Sequence, residues 1–300
     1  MIIIQLAGGL GNQMQQYALY EKLKSMGKDC KIDISWFMDV KQQESVYAKR
    51  KLELDLFPNV NYEVCTQEEK AELLGNGTVL DKFLTKLLPG RKKVFCETDM
   101  YHPEIFSLED AYLTGYFACQ KYYADIMSIL CQRFSFLVEN RSENELLACE
   151  MRESNSVSLH IRRGDYLDPV NFEMFGNICT DSYYEAAIQR IKEAVPDAKF
   201  YIFSDDMEYI KATYSGDEFI PVELNSGDNS YFDIYLMSQC RHNICANSTF
   251  SLWGARLNQN EDSIRIRPLK HKNSQNPTPE EMRDYWSGWE VFDNMGNRVC

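Results

Sequence analysis

The sequence contains no Cys-x-x-Cys pair, only four histidines, all far apart, and no apolar run long enough to cross a bilayer. Without clustered ligands, a structural zinc site has no local signature. The ten cysteines, at 30, 65, 96, 119, 131, 149, 179, 240, 245 and 300, are scattered; this predicts reduced thiols rather than a disulfide framework. Positive charge is scarce too: 32 Lys and Arg stand against 45 Asp and Glu, a net charge of −13, with no long basic run. A nucleic-acid partner needs a basic face to neutralise phosphate, so none is expected. A small anion needs only a local pocket. The opening apolar stretch is too short for a membrane span or signal core, and it lacks a basic flank. A cytoplasmic location is the expectation, and peripheral attachment to the inner face of a membrane is compatible with it.

What the chain does contain is an alternation of short apolar runs with helical patterns. Three hundred residues suffice for two domains of ordinary size. Met1–Leu6 reads as a strand, followed by a glycine turn at Gly8, Gly9 and Gly11. A helix is expected over 12–26, with Leu19, Leu23 and Met26 on one face and Gly27 as its stop. A second strand follows at 30–34. Residues 36–110 are less regular, with a basic knot at Arg91, Lys92 and Lys93, and a helical pattern resumes over 119–138. In the second half, strands are expected at 157–161, 199–203, 219–222, 243–246 and 264–266. Helices are expected at 182–194, 231–239 and 250–258; the first has Ser182 and Glu185 in capping-box spacing and Tyr184, Ala187, Ile188 and Ile191 inward. The domain boundary is expected near 150, in the uneven charged stretch 139–155.

Four constellations can carry chemistry. Val157–Leu167 is a half-buried strand, by its alternation, that ends in His160, Arg162, Arg163, Gly164 and Asp165. An ion pair such as Arg163–Asp165 fits this segment. An anion site also fits, because adjacent guanidiniums are costly to bury without anions and a guanidinium fork suits phosphate. Gly8-Gly9-Leu10-Gly11-Asn12-Gln13-Met14 follows a strand and opens a helix, where phosphates are cradled. The third glycine of the dinucleotide fingerprint is missing, and Asp33 is only near the expected acidic position. The amides of Asn12 and Gln13 suit sugar hydroxyls, and a plain tight turn fits as well. Ser204-Asp205-Asp206 closes a strand, as helix cap or as ligand carboxylates. Asn247, Ser248 and Thr249 precede the last helix of the 232–257 block, where hydroxyls and backbone N–H groups hold anions or merely cap.

Together H-I-R-R-G-D-Y at 160–166, G-G-L-G-N-Q-M at 8–14, F-S-D-D at 203–206 and the 232–257 block resemble the α-1,2-fucosyltransferases of glycosyltransferase family 11. The motifs span nearly the whole chain in the expected order. One departure is Gln15, where many relatives carry phenylalanine. The resemblance implies an α/β fold of GT-B type, two Rossmann-like domains facing each other across a cleft. Residues 1–152 would form the acceptor side. Residues 153–300 would bind GDP-fucose, their last helix able to pack back on the N-terminal domain. It further implies inverting, metal-independent transfer of L-fucose from GDP-fucose to the 2-hydroxyl of a galactoside, in a free oligosaccharide or lipid-linked glycan, with no cofactor. Arg162 and Arg163 would meet the diphosphate, with Ser248, Thr249, Ser251 and Asn247 adding donors. His160, Ser204 and Asp205 would lie on the donor side, near ribose or guanine. Gly9, Gly11, Asn12 and Gln13 would form a donor or acceptor loop. Asp165 would be either the base or the holder of an arginine. A fucosyltransferase of another linkage is the alternative within the family, and a nucleotide-dependent oxidoreductase using the glycine turn and a non-catalytic carbohydrate-binding protein are the other classes in view.

Overall fold

The computed structural model describes residues 1–44, 49–75, 93–98 and 101–300, so Arg91 and Lys92 lie outside the described residues. The chain divides into two compact units, Met1–Ser135 and Phe136–Cys300.

The first unit contains β1 (Ile2–Gln5), α1 (Leu10–Ser25), β2 (Cys30–Asp33), α2 (Val40–Glu44), α3 (Gln67–Leu74), β3 (Val94–Cys96), β4 (Ala111–Thr114) and α4 (Met127–Arg133). The strands form one parallel sheet in the order β2-β1-β4-β3. Ile2, Ile3 and Ile4 are fully buried, as a parallel strand covered on both faces requires. Helix α1 is less amphipathic than its leucines suggest. Met26 lies beyond its end and is exposed, whereas Gln13, Gln15 and Gln16 are buried. Gln16 explains why an amide belongs there. Its Oε1 accepts from the Ala7 N–H at 3.0 Å and its Nε2 donates to the Gly115 carbonyl at 2.8 Å, tying the ends of β1 and β4. The helix expected over 119–138 is broken into two 3-10 turns at 120–122 and 124–126 before α4.

The second unit contains α5 (Glu143–Glu153), β5 (Ser156–Ile161), α6 (Pro169–Phe175), α7 (Asp181–Ala194), β6 (Lys199–Ser204), α8 (Met207–Thr213), β7 (Phe219–Pro221), α9 (Phe232–Gln239), β8 (His242–Ile244), α10 (Thr249–Leu257), β9 (Arg265–Pro268), α11 (Pro279–Tyr285) and β10 (Glu290–Phe292). Its parallel sheet runs β7-β6-β5-β8-β9-β10. Ranked by position in the chain, that is the doubly wound order 3-2-1-4-5-6, with its topological switch point between β5 and β8. Ligands of such sheets bind outside the carboxyl ends of the strands at that point.

Two expectations are corrected here. Strand β5 is buried along its whole length rather than on one face. Val157, Leu159 and Ile161 pack in one core with Tyr183, Tyr184, Ala187, Ile188 and Ile191 of α7. On the other face Ser158 accepts from Asn243 Nδ2 at 2.8 Å, so its polarity marks an internal bond and not solvent. The stretch around 150 is no linker. It is helix α5, whose Ala148 and Met151 pack against Tyr201, Phe203, Leu236 and Met237 of the second unit. Its cap, Ser142 accepting from the Glu145 N–H, is masked in sequence by the surrounding charge. Helix α11 lies with Met282 and Trp286 against Cys245, Leu252 and Ala255. A smaller difference is the cap of α7, which is Thr180 rather than Ser182.

Helices α9 and α10 precede and follow β8 in the chain and pack on each other. Their close approach depends on Gly254, where an added Cβ would sit 2.5 Å from the Cβ of Met237. Gly254→Ala is therefore expected to destabilise the protein by about 1–3 kcal/mol through overpacking. Urea unfolding checks this, with a lower midpoint and an unchanged slope expected.

Candidate functional site

Strand β5 ends at Ile161, which lies in register with Ser204 at the end of β6. The next residues of the two strands, 162–165 and 205–206, are therefore neighbours, and their charges interlock. Asp165 Oδ1 takes Arg162 Nε at 2.9 Å and Nη2 at 2.7 Å, while Asp205 Oδ2 takes Arg162 Nη1 at 2.9 Å. The other oxygen of Asp205 accepts from the backbone N–H groups of Arg163 at 2.9 Å and Gly164 at 3.0 Å. Arg163 pairs with Asp206 at 2.9 Å and lies 3.6 Å from the centre of the Tyr209 ring. The ion pair that spacing alone suggested, Arg163 with Asp165, is not among these contacts. Arg162 is held by two carboxylates and Arg163 pairs with a third.

This bracing leaves a defined fork. A guanidinium carries five N–H donors, and three directions on Arg162 are held by carboxylates. One N–H on each terminal nitrogen remains for a ligand, and the side chain is 29% exposed. Burial works against the charge, but Asp205 and Asp165 more than offset it and shift the Arg162 pKa upward. Gly164 is required by the same geometry, since a Cβ there would lie 2.4 Å from Asp205 Oδ2.

His160 precedes the arginines and is buried. Burial first, then the charge of Arg162, pulls its pKa down to about 3, so it stays neutral at physiological pH. Its Nδ1 has no hydrogen-bond partner among the described residues. Across the switch point, Ser248 caps α10 by accepting from the Phe250 N–H at 3.4 Å. Ser248 and Thr249 are partly exposed, and the first turn of α10 carries no acidic residue, an arrangement that favours an anion at its N-terminus.

Several expected ligand residues turn out to be braces. Asn247 is buried; its Nδ2 donates to the carbonyls of Phe175 and His271, both at 3.1 Å, and its own carbonyl accepts from the Tyr166 hydroxyl at 3.2 Å. It thus ties the loop after β5 to the loop after β8 instead of facing a donor. Ser251 is buried and donates to the Ser248 carbonyl, and Ser204 Oγ accepts from the Asp206 N–H. In the first unit Gln13 is fully buried, donating to the Gly8 and Lys51 carbonyls and accepting from the Glu53 N–H, so it is unavailable to sugar hydroxyls. Gly11 is buried within α1, while Gly9 and Asn12 sit partly exposed at its start. Asp33 does not resemble a ribose ligand. It is buried against Lys70 at 2.6 Å, and although burial raises its pKa, bonds from Lys70, Tyr112 and Ser35 leave it below the usual value. The dinucleotide reading loses its acidic partner there.

Asp233 escaped the sequence reading. It lies in the first turn of α9, held by Asn225 Nδ2 at 2.8 Å, and burial pushes its pKa up to about 7. The available signal was a lone acid in the apolar helix F-D-I-Y-L-M.

A guanidinium fork and a helix start that carries no acid follow β5 and β8, the two strands that flank the switch point, and both suit an anion. The family model for glycosyl transferase family 11 matches residues 100–292. The O-antigen biosynthesis glycosyltransferase WbnK of Escherichia coli is 33% identical, the match covering 88% of this chain and 93% of that protein. An alpha-1,2-colitosyltransferase of Escherichia coli is 29% identical, over 94% of this chain and 97% of that one. Among solved structures, a NodZ alpha-1,6-fucosyltransferase soaked with GDP-fucose matches with a TM-score of 0.43 at 13% identity, covering 85% and 92% of the two chains. With a family model spanning most of the chain and a relative matched almost end to end, the protein belongs to glycosyl transferase family 11 and is a fucosyltransferase-like glycosyltransferase.

Proposed function

We propose that the protein transfers L-fucose from GDP-fucose to the 2-hydroxyl of a galactoside, with inversion and without a metal ion. The observation that carries this reading is the Arg162 fork, held by Asp165 and Asp205 at the carboxyl end of β5 beside the switch point. As the bond between sugar C1 and the diphosphate breaks, negative charge grows on the β-phosphate. A fork already fixed by two carboxylates meets that charge without reorganising, which is where electrostatic catalysis gains most. The α10 N-terminus adds partial positive charge from its own side. Asp165 accepts two guanidinium N–H bonds, which supports its role as the arginine's holder and leaves the base for the acceptor to another group.

The likeness to a colitosyltransferase favours a second reading, a colitosyl donor. Colitose lacks the 3-hydroxyl of fucose. A site that hydrogen-bonds this hydroxyl rejects the deoxy sugar by about 10⁴-fold, whereas a site that does not bind it accepts both.

Incubating the protein with GDP-fucose and a β-galactoside acceptor in excess EDTA tests the proposal. An α-1,2-linked fucosyl product, identified by NMR, is expected at the rate seen without chelator. Loss of product on chelation would contradict the metal-free reading, and transfer from a colitosyl donor alone would replace fucose by colitose.

A further inference from the structure

We propose that Tyr166 sets the spacing between the Arg162 fork and the start of α10, and so fits the site to a diphosphate in preference to a monophosphate. This inference rests on the nucleotide-sugar reading above, because the ligand it concerns is the diphosphate of the donor.

Tyr166 touches both parts of that site. The Arg162 guanidinium carbon lies 5.6 Å over the centre of its ring, within the range at which an aromatic face attracts a cation. At the far end of the same side chain, the hydroxyl donates to the Asn247 carbonyl at 3.2 Å. The next residue is Ser248, the cap of α10. One tyrosine side chain therefore reaches from the fork to the residue before the helix start. Burial raises the pKa of the phenol, so the hydroxyl keeps its proton and stays a donor.

Both ends of this spacer are fixed by other groups. The Tyr166 ring stacks on Phe175 at 4.9 Å with the planes 16° apart. The backbone before it is tied by Asn171, whose Nδ2 donates to the Asp165 carbonyl at 2.9 Å. Asn247 is held separately: Nδ2 donates to the Phe175 and His271 carbonyls, both at 3.1 Å, and Oδ1 accepts from Cys179 Sγ at 3.5 Å. Phe175 thus meets both partners, its ring against Tyr166 and its carbonyl on Asn247. Asn273 in turn donates to the carbonyls of Glu173 at 2.9 Å and Gly176 at 3.1 Å, which pins the segment carrying Phe175. The two carboxylates set where the N–H edges of Arg162 point, and the tyrosine sets how far they stand from Ser248 and Thr249.

A nucleoside monophosphate offers one phosphate and uses one of the two anion-holding elements at a time. A diphosphate can use both at once, provided their separation matches that of its phosphates, and the gain from the second contact is lost when the geometry forbids it. The leaving β-phosphate needs the same spacing, since the charge that grows on it is met by groups already in place.

Calorimetric titration with GDP and with GMP tests this in two variants. Tyr166→Phe keeps the ring and loses the hydroxyl; it is expected to weaken GDP by about 3–10-fold and GMP by less than about twofold. Tyr166→Leu loses the ring as well, and GDP should weaken by about 10–100-fold with GMP within about threefold of wild type. Its kcat for transfer should fall by about 10²-fold. Partial unfolding lowers the affinity for both nucleotides by the same factor, so the ratio of GDP to GMP affinity reads the spacing and not the fold. Both affinities falling by one factor in Tyr166→Leu would overturn the proposal, as would GDP affinity within about twofold of wild type. Wild-type protein that binds GDP no more tightly than GMP would instead overturn the nucleotide-sugar reading, and this proposal with it.

Discussion

Arg162→Lys is expected to lower kcat/KM by about 10²–10³-fold although the formal charge is kept. An ammonium is a point charge with three donors, whereas the guanidinium here answers two carboxylates and a ligand at once. Asp165 engages Nε and Nη2, and Asp205 engages Nη1. Lysine can reach only part of that set, so one carboxylate loses its partner and the N–H pair aimed at the diphosphate disappears. GDP affinity should fall along with turnover, because the same fork serves ground state and transition state. Steady-state kinetics and calorimetric titration with GDP read the two effects separately. Near wild-type turnover in this variant would remove Arg162 from the reaction.

The second large effect is expected at Asp205. Deleting an acid next to an anion site should, by simple Coulomb attraction, tighten GDP binding. A bracing role predicts the opposite for turnover. The Asp205 carboxylate holds Arg162 with one oxygen and the backbone of Arg163 and Gly164 with the other, so Asp205→Ala frees both the fork and the turn that carries it. Loss of kcat by about 10²-fold is expected, because misplacing a catalytic group by an ångström costs that much. Asp205→Asn should lose less, since its carbonyl oxygen can still accept from the two N–H groups. The order alanine below asparagine below wild type checks the brace. Asparagine and alanine losing equally would assign the effect to charge alone.

The sequence carried much of this arrangement and was silent on the rest for physical reasons. In the second unit β5, β6, α7, α9 and α10 all announce themselves through long apolar runs or a clear helical period. Strand β10 is three residues long, and α5 has a charged outer face that hides two buried contacts, so neither stands out. Helix α11 was missed although Thr278 and Glu281 form a capping box, a local signal with little periodicity behind it. The arginine pair was visible as chemistry, but its partners were not. Asp205 lies more than forty positions from Arg162, and only the parallel register of β5 with β6 makes them neighbours. Polar residues misled in the other direction. Gln13, Asn247 and Ser251 are of types that bind sugars and phosphates, yet each donates to backbone carbonyls. A side chain's donors say what it can hold, and only the surrounding backbone says whether they are still available.

The most direct test of the central claim is a crystal structure of the protein with GDP. Diphosphate oxygens within about 3.2 Å of the Arg162 terminal nitrogens, with the chain of phosphates reaching the start of α10 at Ser248 and Thr249, are the expected result. Diphosphate seated instead on the Gly8–Gly11 turn of the first unit, with the Arg162 fork facing only water, would contradict it.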